Sequence, residues 1–335
     1  MRRKLSPRFD VASALSQGRR DYQEDALVTD FPVGEDIGLV VLADGMGGHA
    51  AGDVASKIVV TEVYGMLKRQ STTFLSEAGS IPARLTSAAA KANASVRDHV
   101  KAQPERAGMG ATLVSLVLRG AQMYWTSIGD SPLYLMRKGK LLQLNEDHSM
   151  APQIDMMVKA GMLDAEAGRT HPDRNCLTSA ILGDTVSRVD CPDDPFGLET
   201  GDIVVVSSDG LQFLEESDIQ RLIHKNRRRT ASEIAAVLLT ALEGLSEPDQ
   251  DNISFSVIKV NHTDDIRTDP IMAMPRERSR STTRLLDGSK LADYASGLFG
   301  SGKKEASSMP VFMSNRGPAP NAGLAGTNEP RATGT

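Results

Sequence analysis

Aromatic residues and cysteines are scarce in this chain. Phe, Trp and Tyr together make up 4% of its 335 residues, which argues against the stacked aromatic surfaces that bind single-stranded nucleic acid. The two cysteines, Cys176 and Cys191, form no CxxC pair and lie in no His-rich tract, so the spacing of a zinc finger is missing. A disulfide between them is one alternative, but two reduced cysteines in a cytosolic protein are the interpretation that we favour.

The sequence also lacks a strong charge of either sign and an apolar run of membrane length. Its formal net charge is -5, so no broad electrostatic attraction to nucleic acid is expected. The longest apolar runs have the length of a strand and fall short of the ~20 residues that a transmembrane helix needs. The basic N-terminus, 1–7, is followed by no apolar signal-peptide region. We therefore expect a cytoplasmic protein that binds neither nucleic acid nor membranes.

The order of the predicted elements favours an α+β fold. Strands are predicted at 11–17, 37–43, 112–118, 122–128, 133–137, 140–144, 203–207 and 253–260, and helices at 50–69, 82–101, 148–161, 218–224 and 231–245. Strands and helices come in blocks rather than in strict alternation, which is typical of an α+β sandwich and not of a doubly wound sheet. The 40% hydrophobic content is enough for a large core.

The composition changes after Val260. Residues 261–335 are rich in Gly, Pro, Ser, Ala and charged residues, and such a segment cannot bury enough apolar surface to fold alone. We therefore predict one domain over 1–260 and a disordered tail over 261–335. Within the tail, 285–299 places apolar side chains at helical spacing. This stripe is either a segment that binds a partner or an accident of composition.

Acidic residues stand at the ends of apolar, strand-like runs in four places. These are Asp25 at the end of 20–25, Asp44 after 37–43, Asp209 after 203–208 and Asp251 just before 253–258. A carboxylate is costly to bury alone. Several carboxylates that converge make a cage for hard divalent cations, which prefer oxygen ligands. The pattern predicts metal-assisted chemistry on a phosphate.

Seven short motifs follow one another along the chain. They are Arg20-x-x-Gln23-Glu24-Asp25, Asp44-Gly45-Met46-Gly47-Gly48-His49, Gly108-Met109-Gly110-Ala111-Thr112-Leu113, Ile128-Gly129-Asp130-Ser131, Asp147-His148-Ser149, Ser207-Ser208-Asp209-Gly210 and Asp251-Asn252-Ile253-Ser254. An Asp-Gly pair alone is an ordinary turn signal, but seven motifs in this order are specific. Over residues 8–260 the chain resembles the bacterial PPM-type, or type 2C, metal-dependent protein serine/threonine phosphatases. The resemblance implies a four-layer αββα sandwich, in which two antiparallel sheets pack face to face between helices.

The resemblance also implies a site for two Mn²⁺ or Mg²⁺ ions. Asp44 would bridge both ions, the Gly45 carbonyl would bind one, and Asp209 and Asp251 would hold the other. Glu24 and Asp25 would act through metal-bound waters, and Arg20 would grip the substrate phosphate with its planar fork. Two ions close together lower the pKa of a water between them and produce a hydroxide that attacks phosphorus in line.

Four further positions bear on the site. Asp130 is either a ligand of a third, weaker ion or a turn residue between Ile128 and Pro132. Asp147 is predicted as the N-cap of a helix that begins near His148. Met46 stands where animal relatives carry a histidine that is often assigned as the general acid, which leaves His49 or a water for that role. Pro132 replaces the usual arginine after Gly-Asp-Ser.

The leading hypothesis is a protein serine/threonine phosphatase whose substrates are phosphoproteins, targets of a cognate serine/threonine kinase. One rival is a pseudophosphatase, a scaffold that binds phosphoproteins with little turnover. Another is a hydrolase of small phosphate esters. The segment 150–190 is predicted to be a flap over the site, where substrate choice would be made.

Overall fold

The structure is a computed structural model that describes residues 8–32, 35–47, 51–245 and 247–262. Its strands are β1 (Phe9–Ser16), β2 (Asp25–Asp30), β3 (Ile37–Met46), β4 (Gly110–Ala111), β5 (Leu113–Arg119), β6 (Gln122–Ile128), β7 (Leu133–Arg137), β8 (Lys140–Gln143), β9 (Phe196–Gly197), β10 (Ile203–Ser207) and β11 (Ile253–Val260). Its helices are α1 (Ala51–Ser76), α2 (Ile81–Ala102), α3 (Ala151–Lys159), α4 (Ala165–Arg169), α5 (Glu216–Asn226) and α6 (Ala231–Leu245).

Within these described residues the strands form two antiparallel sheets. The first sheet has the order β1-β11-β10-β7-β8, and the second has the order β2-β3-β5-β6-β9 with β4 beside β3. The predicted hairpins are confirmed, because β5 pairs with β6 and β7 pairs with β8 through short turns at Gly120 and Gly139. Both glycines have positive φ, which these tight turns require.

Strand β3 shows why its sequence lacks the usual polar alternation. Leu39, Val41 and Ala43 pack in one core beneath α1 and α2, while Val40 and Leu42 pack in another core between the two sheets. Because both faces of the strand are buried, every position from Ile37 to Ala43 is apolar or small. The second sheet therefore lies between a layer of helices and the other sheet.

The first sheet is covered in the same way on its outer face. Phe255 and Val257 of β11 pack with residues of α5 and α6, whereas Ile258 and Val260 point into the core between the sheets. The layers are thus helices, sheet, sheet, helices, and the predicted four-layer αββα sandwich is confirmed. The described helices are each too short or too polar to cross a lipid bilayer.

Several predicted boundaries need correction. Helix α1 continues to Ser76 instead of ending at 69, because Phe74 is fully buried and holds the weakly helical end of the helix on the core. The prediction missed β2, whose six residues form a strand through their pairing with β3. Helix α3 begins at Ala151 with Met150 as its N-cap, so the N-cap prediction for Asp147 was wrong. Asp147 instead accepts a hydrogen bond from the Ser149 amide at 2.8 Å.

Candidate active site

Two of the predicted acidic residues lie side by side at one end of the second sheet. Asp25 begins β2 and is the cross-strand partner of Asp44 near the end of β3. The pairing continues one residue outward, where the Gly45 amide donates to the Glu24 carbonyl at 2.9 Å. Asp25 is fully buried and Asp44 is 8% exposed. Glycine is required at position 45, since a Cβ there would lie 2.1 Å from the Gly52 carbonyl oxygen.

The other two predicted aspartates lie at the matching end of the first sheet. Asp209 follows β10 and begins a short 3-10 turn, and Asp251 lies just before β11, the neighbouring strand. The two segments approach closely, because a Cβ on Gly210 would lie 1.8 Å from the Asn252 carbonyl oxygen. Asp209 is half-buried and Asp251 is 1% exposed.

A hydrogen bond joins the two sheets at this end. Ser254 Oγ, on β11, donates to Asp25 Oδ2 at 2.6 Å. This bond places the aspartates of the second sheet next to those of the first. Ser254 was not predicted as part of the site, because its partner Asp25 lies 229 residues earlier in the chain.

The carboxylates repel one another strongly. Burial raises the pKa of Asp44 well above its usual range, and the charges of Asp25, Asp209, Asp251 and Asp130 raise it further. Burial, partly offset by the Ser254 hydrogen bond, raises the pKa of Asp25 to about 7. Burial and the Asp209 charge raise the pKa of Asp251 to about 8. The five aspartates therefore share one electrostatic environment with an excess of negative charge.

This donor set fits hard divalent cations. The predicted ligand atoms are carboxylate and carbonyl oxygens, and neither a thiol nor an imidazole is among them. A bound cation would also offset the repulsion between the aspartate carboxylates. Within the described residues no group of three or more His, Cys, Asp or Glu forms a ready-made metal site as the side chains stand. Two of the carboxylates are held instead by protein donors, Asp25 by Ser254 and Asp251 by Arg20 and the Asn252 amide, and the ions would replace some of these contacts.

Arg20 is one of those donors. Its Nη2 donates to Asp251 Oδ2 at 2.7 Å. Its neighbour Arg19 has an exposed side chain, as expected for a solvated surface charge. Glu24 is 5% exposed, and its carboxylate lies against Gly52 at the start of α1, where a Cβ would meet Glu24 Oε1 at 2.6 Å. Every predicted site residue thus lies at the same end of the sandwich.

The aspartates open into a cavity of about 420 Å³. Its floor is formed by Asp44, Gly45, Asp130, Asp209 and Asp251. Its wall comes from the predicted flap and contains residues 175–180, Leu182, Thr185 and Ser187. The flap prediction for 150–190 therefore agrees with the position of its second half.

The loop that carries Asp130 is held by buried polar side chains. Gly129 has φ +106° and its amide donates to His148 Nδ1 at 3.2 Å, and burial lowers the pKa of His148. Asn145 Nδ2 donates to the Ser131 carbonyl at 3.0 Å, and the Thr112 and Ser131 hydroxyls lie 2.8 Å apart. These supports place Asp130 in the cavity floor, where either of its two predicted roles fits.

Two residues differ from the family motifs, Met46 in the cavity lining and Pro132 in the loop after Asp130. Met46 lines the cavity at the position of the animal histidine, and its thioether carries no proton to donate. The alternative donor, His49, lies outside the described residues. Pro132 leaves the loop intact, because its carbonyl accepts a hydrogen bond of 3.1 Å from the Ser207 amide.

Comparison with known proteins gives a consistent result. A family model for Protein phosphatase 2C matches residues 16–243. The serine/threonine phosphatase stp of Listeria innocua is 32% identical over 224 residues, or 67% of this chain and 84% of that protein. The crystal structure of the Mycobacterium tuberculosis serine/threonine phosphatase PstP matches with a TM-score of 0.62 and 28% identity, covering 76% of this chain and 99% of that chain. The crystal structure of the catalytic domain of PstP in complex with two manganese ions matches with a TM-score of 0.60 and 26% identity, covering 75% of this chain and 97% of that chain.

Proposed function

Because this chain belongs to the protein phosphatase 2C family and is a protein serine/threonine phosphatase, we propose that it hydrolyses phosphoserine and phosphothreonine esters with two Mn²⁺ or Mg²⁺ ions. One observation carries this proposal. Aspartates from two different sheets, Asp25 and Asp44 on one side and Asp209 and Asp251 on the other, converge at a single cavity. Burying so many like charges is unfavourable unless cations join them.

The residues that would hold the ions follow from their positions. Asp44, Asp209 and Asp251 face the cavity directly, together with the Gly45 carbonyl group. Glu24 and Asp25 lie beside them and would act through intervening waters. Asp130 would take the third, weaker ion. When bound, the ions supply Lewis acidity that activates a water and offsets the phosphate charge.

Arg20 would orient the phosphate. Its guanidinium lies at the site through its bond with Asp251, and its planar fork matches two phosphate oxygens. Through this bond the arginine reaches the predicted ligands of the ions, where it would also reach a phosphate that contacts those ions. The leaving serine or threonine oxygen needs a proton, and since Met46 cannot give one, His49 or a water would supply it.

The substrate class follows from the family and the shape of the site. The cavity floor is polar, and the flap wall above it presents Leu182 beside Thr178, Ser179 and Ser187. A folded or extended phosphoprotein segment would contact this wall while its phosphate reaches the floor. A cognate kinase, a cytoplasmic location and a partner for the tail stay predictions from the sequence.

The deciding experiment is phosphate release from a phosphothreonine peptide with Mn²⁺, repeated with excess chelator and with Asp209→Asn. The proposal predicts release that both changes abolish. Peptide binding without release by the metal-loaded wild type would favour the scaffold. Turnover of an aryl phosphate but not of the peptide would favour the small-ester hydrolase.

A further inference from the structure

The cavity wall has open space on both of its sides. Residues Leu182 and Thr185 face the cavity above the aspartates. Behind them lies a second cavity of about 530 Å³, between 183–189 and helix α2, and Thr185 borders both cavities. Leu182, Asp184 and Thr185 are exposed. The exposed side chains lie between Ile181 and Val186, which pack on the core, so the backbone between these two anchors is positioned largely by its contacts with α2.

The ends of the wall are fixed firmly. Ser179 Oγ donates to the Arg188 carbonyl at 2.8 Å and accepts from the Arg188 amide at 3.0 Å, which closes the loop at its base. Ile181 forms an antiparallel bridge with Ala111 through two backbone bonds of 2.9 and 3.0 Å. Ala111 lies opposite Gly45 in the β3–β4 pair, so the wall is connected to the backbone of the site itself.

The middle of the wall is held by Asn93 of α2. Its Oδ1 accepts from the Gly183 amide at 2.8 Å, and its Nδ2 donates to the Asp184 carbonyl at 2.6 Å. One amide side chain thus binds two consecutive residues, a task that needs a donor and an acceptor together. Gly183 has φ +87°, and a Cβ there would lie 2.7 Å from Arg97 Cα, so the backbone is pressed directly against the helix.

We propose that Asn93 is a positioning residue, which sets the place of Leu182 and Thr185 and thereby the fit of a protein substrate. This inference rests on the proposed phosphatase function. Asn93 touches neither the aspartates nor Arg20 in any described hydrogen bond, and it acts only through the wall. A small aryl phosphate reaches the floor without needing the wall, whereas a phosphorylated polypeptide must lie against it.

The test is Asn93→Leu, which keeps the side-chain size and charge but removes both hydrogen bonds. Lys91→Leu is the matched control, because residue 91 lies on the same helix with an exposed side chain. KM and kcat are measured for p-nitrophenyl phosphate and for a phosphothreonine peptide, and hydrogen exchange is followed over 181–187. We expect N93L to raise the peptide KM by about tenfold, as the loss of two hydrogen bonds allows. The aryl phosphate constants should stay within about twofold, and exchange over 181–187 should become faster.

Each outcome decides the question. Faster exchange with a higher peptide KM supports the proposal, provided that K91L behaves as wild type. Unchanged exchange in N93L overturns it, because the wall then does not depend on Asn93. Faster exchange with an unchanged peptide KM overturns the proposed dependence of peptide binding on the wall. An equal rise of KM for both substrates also overturns it, because the substitution would then have disturbed the aspartates at the cavity floor. Wild-type protein inactive on both substrates would reject the phosphatase function, while the exchange data would still report on the wall.

Discussion

Arg20 and Asp251 form an ion pair of 2.7 Å in which the arginine is partly exposed and the aspartate is 1% exposed. The pair joins the segment before β2 to the segment before β11, far apart in the sequence. It orients a guanidinium at the edge of the cavity floor, where a phosphate would enter. In the proposed mechanism the arginine would bind two anionic groups, the Asp251 carboxylate and the substrate phosphate.

Arg20→Ala should mainly raise KM for phosphorylated substrates, by about tenfold or more, because a charge-assisted fork is lost while the carboxylates stay. Arg20→Lys should restore only part of this loss, since an ammonium group lacks the fork. Steady-state kinetics on a phosphothreonine peptide measure the effect, with the exposed Arg19→Ala as control. An unchanged KM in R20A, with metal binding intact, would reject the phosphate-binding role.

Removal of divalent ions should abolish turnover. The predicted ligands are all oxygen atoms, so chelation should strip the site, and added Mn²⁺ or Mg²⁺ should restore it. Turnover of an aryl phosphate is measured after dialysis against chelator and again after each metal is added. Full activity in protein shown to be metal-free would contradict the proposed chemistry.

Asp44→Asn and Asp209→Asn should each lower kcat by at least about two orders of magnitude, because both residues would hold the ions that activate the water. Asp98→Asn is a suitable control, since Asp98 lies exposed on α2 and makes only a 3.6 Å pair with Arg97 in the described contacts. Bound metal is counted in parallel by elemental analysis. A wild-type rate in D44N would show that the bridging assignment is wrong.

Gly210→Ala should destabilise the fold and lower activity together. The added Cβ would lie 1.8 Å from the Asn252 carbonyl oxygen, so the segments of Asp209 and Asp251 must move apart. A cost of roughly 1–3 kcal/mol in the free energy of unfolding is expected from such overpacking. Gly244→Ala is the matched control, because a Cβ at this helical position meets nothing within 4 Å. It should be neutral or stabilise by up to about 1 kcal/mol. Denaturant unfolding would compare the two, and equal stability would contradict the close approach.

Truncation after Asn261 should leave a folded, active enzyme. Strand β11 ends at Val260, and the predicted ligands all precede it. The tail composition does not support a core of its own. Activity on an aryl phosphate and solubility are the readouts. Loss of either would show that the tail belongs to the domain, whereas a selective loss on phosphoproteins would support a docking role.

The sequence predicted an element best where a single short segment is enough to define its secondary structure. The apolar runs before Asp44 and Asp209 are long enough to define a buried strand, so Asp209 was placed correctly after β10, and Asp44, predicted after its strand, lies two residues before the end of β3. Strand β2 was missed because its six residues gain strand structure only by pairing with β3. The roles of Ser254 and Asn93 depend on contacts with residues 229 and 90 or more positions away, which no local pattern encodes.

The bond between Asp25 and Ser254 affects how the site can form while the chain is being synthesised. Ribosomes make the site residues in the order Asp25, Asp44, Asp209 and Asp251, and the bond between Ser254 and Asp25 can form only when β11 exists. Contacts so distant in sequence form late and slowly. A growing chain therefore lacks Asp251 and the bond between Ser254 and Asp25 until β11 has been synthesised.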